Sequence, residues 1–173
     1  MQPIIYDVAV SADGFICGAN ADISRFPHEG PVLDDYRARL ATYGTALMGR
    51  ETYVFGYAYG LTAGANPYPH MRSIVISKTL DLPEDAQVEQ IPDLTTIPHL
   101  KAQASRPLYL CGGGHLACTL LRAGFIDQVV LKRAPILLGT GVLLWGPGAP
   151  APEARLIDHH DYGGGLTLQR YHL

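Results

Sequence analysis

Three short stretches put phosphate-binding chemistry at the end of an apolar run. "LYLCGGGH", Leu108 to His115, passes from apolar residues through Gly112, Gly113 and Gly114 into a helical pattern. Ordering glycine costs more backbone entropy than ordering any other residue, so three in succession need a reason. A strand that runs through glycines into a helix start offers unpaired N–H groups and the positive end of the helix dipole. No Cβ then stands between backbone and phosphate. Gly112, Gly114 and Ala117 also meet the G-x-G-x-x-G/A spacing of dinucleotide turns. That spacing alone fits an empty tight turn as well. "MGRETY" adds Gly49, Arg50 and Thr52 at a second strand end, and "VISKTL" adds Ser77 and Lys78 at a third. Singly, Arg50 and Lys78 read as solvated charges, and Thr52 and Ser77 as caps. In open α/β sheets, however, ligands collect at the carboxyl ends of strands. Taken together the three ends describe a site for a phosphorylated dinucleotide. Glycine N–H groups would hold its pyrophosphate, and a cation with a hydroxyl would hold an additional phosphate.

The elements that must carry these residues follow from hydrophobic periodicity. "IIYDVAV" (4–10) predicts a strand covered on both faces. "SADGFICG" predicts a turn and a short extended piece. Leu33, Tyr36, Leu40 and Tyr43 recur at helical spacing and predict an amphipathic helix over 32–43, closed by Gly44. "TALMG" and "RSIVIS" read as buried strands, with a short helix or turn at "RETYVFG" and a Gly-, Pro- and Tyr-rich loop over 57–70. A short strand and turn within 81–97, a short helix over 98–105, a helix over 115–123 and a strand over 126–133 complete the alternation. "PILLGTGVLLWGPG" reads as loop, and the tail as two strands joined at Gly163 to Gly165. The order predicts one layered α/β domain: a central, mostly parallel sheet flanked by helices, with a C-terminal antiparallel hairpin.

Composition narrows the function classes. The chain has 173 residues, 47% apolar and 17% charged, which suits a folded domain with a core. A net charge of −3 argues against nucleic-acid or membrane-surface partners. No apolar run approaches the ~18 residues of a membrane span, and "MQPIIYDVAV" lacks the features of a signal peptide. Cys17, Cys111 and Cys118 are odd in number and lack Cys-x-x-Cys spacing. Free thiols in a reducing cytoplasm are therefore expected, with no metal site.

"MGRETY", "VISKTL", "LYLCGGG" and "APILLGTGVLLW", in that order, resemble the dihydrofolate-reductase-like superfamily. Within it they look most like the reductase domain of the bifunctional riboflavin-biosynthesis protein and its stand-alone relatives. The resemblance covers essentially the whole chain and implies the three-layer fold of that superfamily, NADPH as hydride donor and a homodimer. It implies that Ala9 and Ile16 flank the nicotinamide and that Gly49, Arg50 and Thr52 meet phosphates. Ser77 and Lys78 would lie at the adenosine 2′-phosphate. Gly112 to Gly114 would wrap the pyrophosphate, and His115 and Leu116 would open the helix beside it. A cis peptide between Gly112 and Gly113 is also implied. Val142 to Trp145 and the tail strands are the expected dimer contact.

The proton source is less defined. Folate reduction in the resembled family uses a buried carboxylate in the first long helix. An ungapped count back from "MGR" puts that position on Leu33, with Asp34 and Asp35 beside it. Asp13, in the "SADG" turn, is the second acid candidate. Asp13, Asp34 or water would then supply the proton. "YVFGYAYG" would either pave a pocket for a flat heterocycle or pack between subunits. The expected activity is hydride transfer to a C=N or C=O carbon of a small pterin- or pyrimidine-like molecule. The alternatives are a riboflavin-pathway ribosylaminopyrimidine-phosphate reductase and a non-catalytic NADPH-binding module.

Overall fold

In the computed structural model, which describes residues 1–173, the first apolar run becomes the strand β1 (Ile4–Ser11) near the centre of an eight-stranded sheet. The short strand β2 (Phe15–Cys17) follows, then helix α1 (Pro31–Leu40) with proline in its first turn, where the missing N–H costs nothing. Next come β3 (Thr45–Gly49), α2 (Arg50–Phe55), β4 (Arg72–Ile76), β5 (Glu89–Ile91) and α3 (Ile97–Gln103). The glycine stretch links β6 (Leu108–Gly112) to α4 (Gly114–Arg122). The chain ends with β7 (Gln128–Ala134), β8 (Val142–Leu143), β9 (Arg155–Asp161) and β10 (Thr167–His172). The Gly112–Gly113 peptide is cis, as the resemblance implied.

The sheet order is β5-β4-β3-β6-β1-β7-β10-β9. The six strands from β5 to β7 pair in parallel, and β10 is antiparallel to both β7 and β9. Successive residues of a strand face opposite sides, so β1 feeds two cores. Ile4, Tyr6 and Val10 join Leu108, Leu110, Val129 and Leu131 beneath α3 and α4. Ile5 joins Met48, Tyr109, Val130 and Leu168, against which Tyr36 and Leu40 of α1 pack. Asp7 falls on this second side and is almost wholly buried.

Two expectations need adjusting. The first helix ends at Leu40, and Tyr43 turns into the core on a hydrogen bond from its N–H to the Leu40 carbonyl. The segment read as loop after Pro135 contains β8, which pairs with β2 in a separate two-stranded sheet. A two-residue strand has no period to read, and its partner lies at the other end of the sequence.

Candidate active site

A cavity of about 540 Å³ opens on the α1 side of the sheet, at the carboxyl ends of β1, β3 and β6. Asp7, Ala9, Met48, Tyr109, Cys111 and Lys132 form its sheet floor. Leu33 and Tyr36 of α1, Thr52 and Phe55 of α2, and Tyr59 and Tyr68 of the next loop form walls, with Ile16 of β2 opposite. The aromatic residues of "YVFGYAYG" thus divide: Tyr53, Phe55 and Tyr59 line the cavity, whereas Tyr57 does not.

The floor carries a buried charge network. The Lys132 ammonium donates to Asp7 Oδ1 at 2.7 Å. The Arg39 guanidinium donates to both Asp7 oxygens, at 2.8 and 3.3 Å, and the Tyr43 hydroxyl donates to Oδ2 at 3.0 Å. The Asp7 side chain is 0% exposed and the Lys132 side chain 9%. Burial pushes the Asp7 carboxyl upward, but Lys132 and Arg39 outweigh it and leave the pKa below its ordinary value. Lys132 goes the other way. Burial pulls its ammonium below the usual lysine range, and Asp7, already shared with Arg39, only partly opposes this. The ammonium also sits 3.7 Å from the centre of the Tyr36 ring, a cation–π contact. Around it the tyrosines are tied together. Tyr36 and Tyr109 hydroxyls are 2.7 Å apart, Tyr68 Oη is 3.1 Å from Cys111 Sγ, and Tyr43 stacks on Tyr109.

Sequence reasoning missed Asp7 and Lys132. The available signal was a charge interrupting each of two apolar runs, Asp7 in "IIYDVAV" and Lys132, followed by Arg133, in "VVLKRA". Their meeting depends on register: β1 and β7 pair with Asp7 opposite Val130 and Ala9 opposite Lys132, which sets both charges on one face.

The structure disperses the residues singled out from sequence. Ala9, Ile16, Thr52, Gly112 and Gly113 line the cavity. Gly49 stands at the start of α2, with Leu116 beside it. Arg50 is exposed and donates to Glu51 at 2.5 Å. Ser77 is half-buried, and its hydroxyl oxygen accepts from the N–H groups of Thr79 and Leu80, while Lys78 is exposed. Gly114, His115 and Leu116 form the first turn of α4, with His115 turned to solvent. Neither acid candidate lines the cavity. Asp34 is exposed and pairs with Arg37 at 2.8 Å. The Asp13 carboxylate accepts from the Ser11 hydroxyl at 2.6 Å and from the N–H groups of Gly139 and Leu138. Those bonds, Ser11 foremost, bring its pKa down to about 2. A carboxyl so held keeps no proton to give at neutral pH. Leu33, where the folate enzymes' acid position falls, faces the cavity as an apolar side chain.

The glycine turn fits a bound pyrophosphate. A Cβ built on Gly112 meets no atom within 4 Å, and one on Gly113 meets only the Thr52 hydroxyl at 3.4 Å. No side chain caps the α4 N-terminus that follows. Open space, bare backbone and uncapped N–H groups are what a phosphate group requires.

The family model of the RibD C-terminal domain matches residues 2–168. The chain belongs to the RibD C-terminal domain family. Two Bacillus subtilis (strain 168) members of the curated proteins are similar to it along nearly their whole length, and both are uncharacterized. YwjB is 25% identical over 170 residues, covering 96% of this chain and 95% of YwjB. YyaP is 24% identical over 184 residues, covering 98% and 94%. A solved structure from Shewanella sp. PV-4, provisionally assigned to riboflavin biosynthesis, superposes with a TM-score of 0.82 at 26% identity, covering 99% of this chain and 98% of that one. The Thermotoga maritima diaminohydroxyphosphoribosylaminopyrimidine deaminase/5-amino-6-(5-phosphoribosylamino)uracil reductase superposes with a TM-score of 0.71 at 14% identity. This likeness is one of fold, and the chain spans 56% of that longer protein. As a RibD C-terminal domain, the chain has the mixed α/β fold expected of it, with a mostly parallel sheet and an antiparallel C-terminal pair.

Proposed function

We propose that the protein is an NADPH-dependent reductase that transfers a hydride to a C=N or C=O carbon of a small, flat heterocycle. The observation that carries this reading is the meeting of two features at one cavity: the open Gly112–Gly113 turn and a chamber walled by tyrosines. NADPH, when bound, supplies the hydride. The backbone of Gly112 and Gly113 and the first turn of α4 would hold its pyrophosphate. Ala9 and Ile16 would border the nicotinamide, and the aromatic walls would keep water out and hold a ring flat against it. The test is direct: NADPH binding followed by its fluorescence, then loss of absorbance when a pterin or a quinone is added. No binding at millimolar NADPH would end the proposal.

The preference for NADPH over NADH would rest on Ser77, Lys78 and Arg50 at the adenosine 2′-phosphate. This phosphate carries nearly two negative charges at neutral pH, and each charge-assisted bond to it contributes roughly 1.5–3 kcal/mol. At about 1.4 kcal/mol per decade, Lys78→Ala is expected to weaken NADPH about ten- to a hundredfold and leave NADH nearly unchanged. Lys78 is exposed at the carboxyl end of β4, so its removal leaves no buried partner behind. Equal losses for both cofactors would remove Lys78 from the site.

The proposal extends to a cytoplasmic homodimer. All seven residues of β9, an edge strand of the sheet, are exposed, with Leu156 at 50% and Ile157 at 43%. Val142 and Leu143 are exposed as well. Unpaired edges carrying apolar side chains favour pairing with another chain. Light scattering at micromolar concentration should give twice the chain mass, and Ile157→Lys should return it to the monomer value.

A further inference from the structure

The cavity holds one cation, Lys132, beside the carboxylates Asp7 and Glu51. Glu51 is tied to Arg50 at the rim, and Lys132 faces Asp7 at 2.7 Å. Hydrophobic residues make up 20 of the 29 that line the space. Apart from the Gly112–Gly113 turn, which the reading above gives to the cofactor's pyrophosphate, the cavity offers a phosphate no unshared positive charge. With that turn occupied, the chamber disfavours a phosphoribosyl group such as the one that the name of the Thermotoga reductase's substrate carries.

Lys132 is placed to act on whatever enters. Asp7 is its one protein hydrogen-bond acceptor, although an ammonium has three N–H groups. A second direction is taken by the Tyr36 ring. The remaining donor capacity has no protein acceptor, and the side chain borders the cavity beside Ala9, its neighbour across the β1–β7 pairing. The groups around it are Asp7 on β1, Tyr36 and Arg39 on α1, Tyr43 beyond α1, Tyr109 and Cys111 on β6, and the uncharged Leu168 opposite it on β10. Arg170 lies two residues further along β10.

We propose that Lys132 is the proton donor of the reaction and that the substrate is an unphosphorylated planar C=N or C=O compound. Its acceptor nitrogen or oxygen would sit at Lys132 Nζ. This rests on the reductase reading above. The substrate carbon gains a hydride as a C–H bond of the bound cofactor breaks, and the cofactor is oxidised by two electrons. The electron pair of the C=N or C=O π bond moves to the nitrogen or oxygen and takes a proton from Lys132. Lys132 is left as a neutral amine beside Asp7 and regains its proton from water. Burial favours this release, and Asp7 keeps the ammonium charged until it is needed. Activity should therefore be high with Lys132 protonated and fall as pH rises through its pKa.

The experiment first measures NADPH binding to the parent protein, Lys132→Gln and Lys132→Met, with circular dichroism as the check on folding. NADPH oxidation is then followed with 9,10-phenanthrenequinone, 7,8-dihydrobiopterin and 5-amino-6-(5-phosphoribosylamino)uracil. Expected are turnover of an unphosphorylated probe, at least tenfold less with the phosphorylated one, and about a hundredfold lower kcat in folded Lys132→Gln. NADPH affinity should stay within about twofold, since the amine is placed at the substrate. The alkaline limb of the kcat–pH profile should disappear in that variant. If Lys132→Gln does not fold, Asp7→Asn combined with Lys132→Met removes both charges and takes its place. Failure of the parent protein to bind NADPH overturns the reductase reading itself. With NADPH bound, three results overturn this proposal alone: no unphosphorylated probe reduced, the phosphorylated probe preferred, or Lys132→Gln retaining parental kcat and pH profile.

Discussion

Asp7→Asn is expected to lower the stability of the protein by about 3–5 kcal/mol, a large part of the ~5–15 kcal/mol that holds a domain folded. The carboxylate is fully buried and faces two cations, Lys132 at 2.7 Å and Arg39 at 2.8 Å. Removing its charge leaves the buried Lys132 and the half-buried Arg39 uncompensated, and the Tyr43 hydroxyl loses a charged acceptor. The measurement is urea unfolding of parent and variant. Asp7→Asn with Lys132→Met should recover part of the loss, because the second change removes one of the orphaned charges. The pH dependence has a definite sign. The folded-state pKa of Asp7 lies below its unfolded value. Its contribution is thus present above the unfolded value, ~3.9, and is lost as pH falls through the folded one. Parent and variant should converge only in strongly acidic solution. A variant that unfolds at the parental urea midpoint at pH 7 would show that the network does not hold the sheet and α1 together.

Gly114→Ala is expected to cost about 3 kcal/mol or more, whereas Gly113→Ala should leave stability nearly unchanged and weaken NADPH about tenfold. The two glycines are neighbours, and their surroundings separate them. A Cβ on Gly114 would stand 2.0 Å from the Leu143 carbonyl oxygen and 3.3 Å from that of Leu144. Both obstacles are backbone, and the segment cannot swing aside. Leu144 is tied to Gly14, Gly146 is tied to Gly114, and the Tyr6 hydroxyl donates to the Leu144 carbonyl. A Cβ on Gly113 reaches only Thr52 Oγ1, at 3.4 Å, and its φ of −88° suits any residue. The added methyl would instead occupy the space assigned to the pyrophosphate. Thermal unfolding and NADPH titration of both variants separate the roles. A Gly113→Ala protein that binds NADPH like its parent would make that residue purely architectural. A Gly114→Ala protein as stable as its parent would show that the β8 segment yields.

Much of this molecule was legible from local pattern. Near-continuous apolar or β-branched runs marked β1, β3, β4, β6 and β7, and period-3.6 apolar spacing marked α1. The glycines after β6 marked a bare turn at a helix start, because no other residue type leaves backbone exposed in that way. The ordered motifs carried the family and, with it, the cis Gly112–Gly113 bond. Pairing across the sheet was decided elsewhere. Asp7 and Lys132 lie far apart in sequence, and only the parallel register of β1 and β7 turns both toward α1 and sets them 2.7 Å apart. Asp13 and Asp34, the carboxylates that the motifs offered, are bound to a turn and to a surface arginine, while the lysine in an apolar run reached the cavity. Local sequence determines which segments become strands, helices and turns, because that choice depends on neighbours a few residues away. Which charges lose their water, and which partners they then meet, depends on strand order and register, and those exist only once the sheet has assembled.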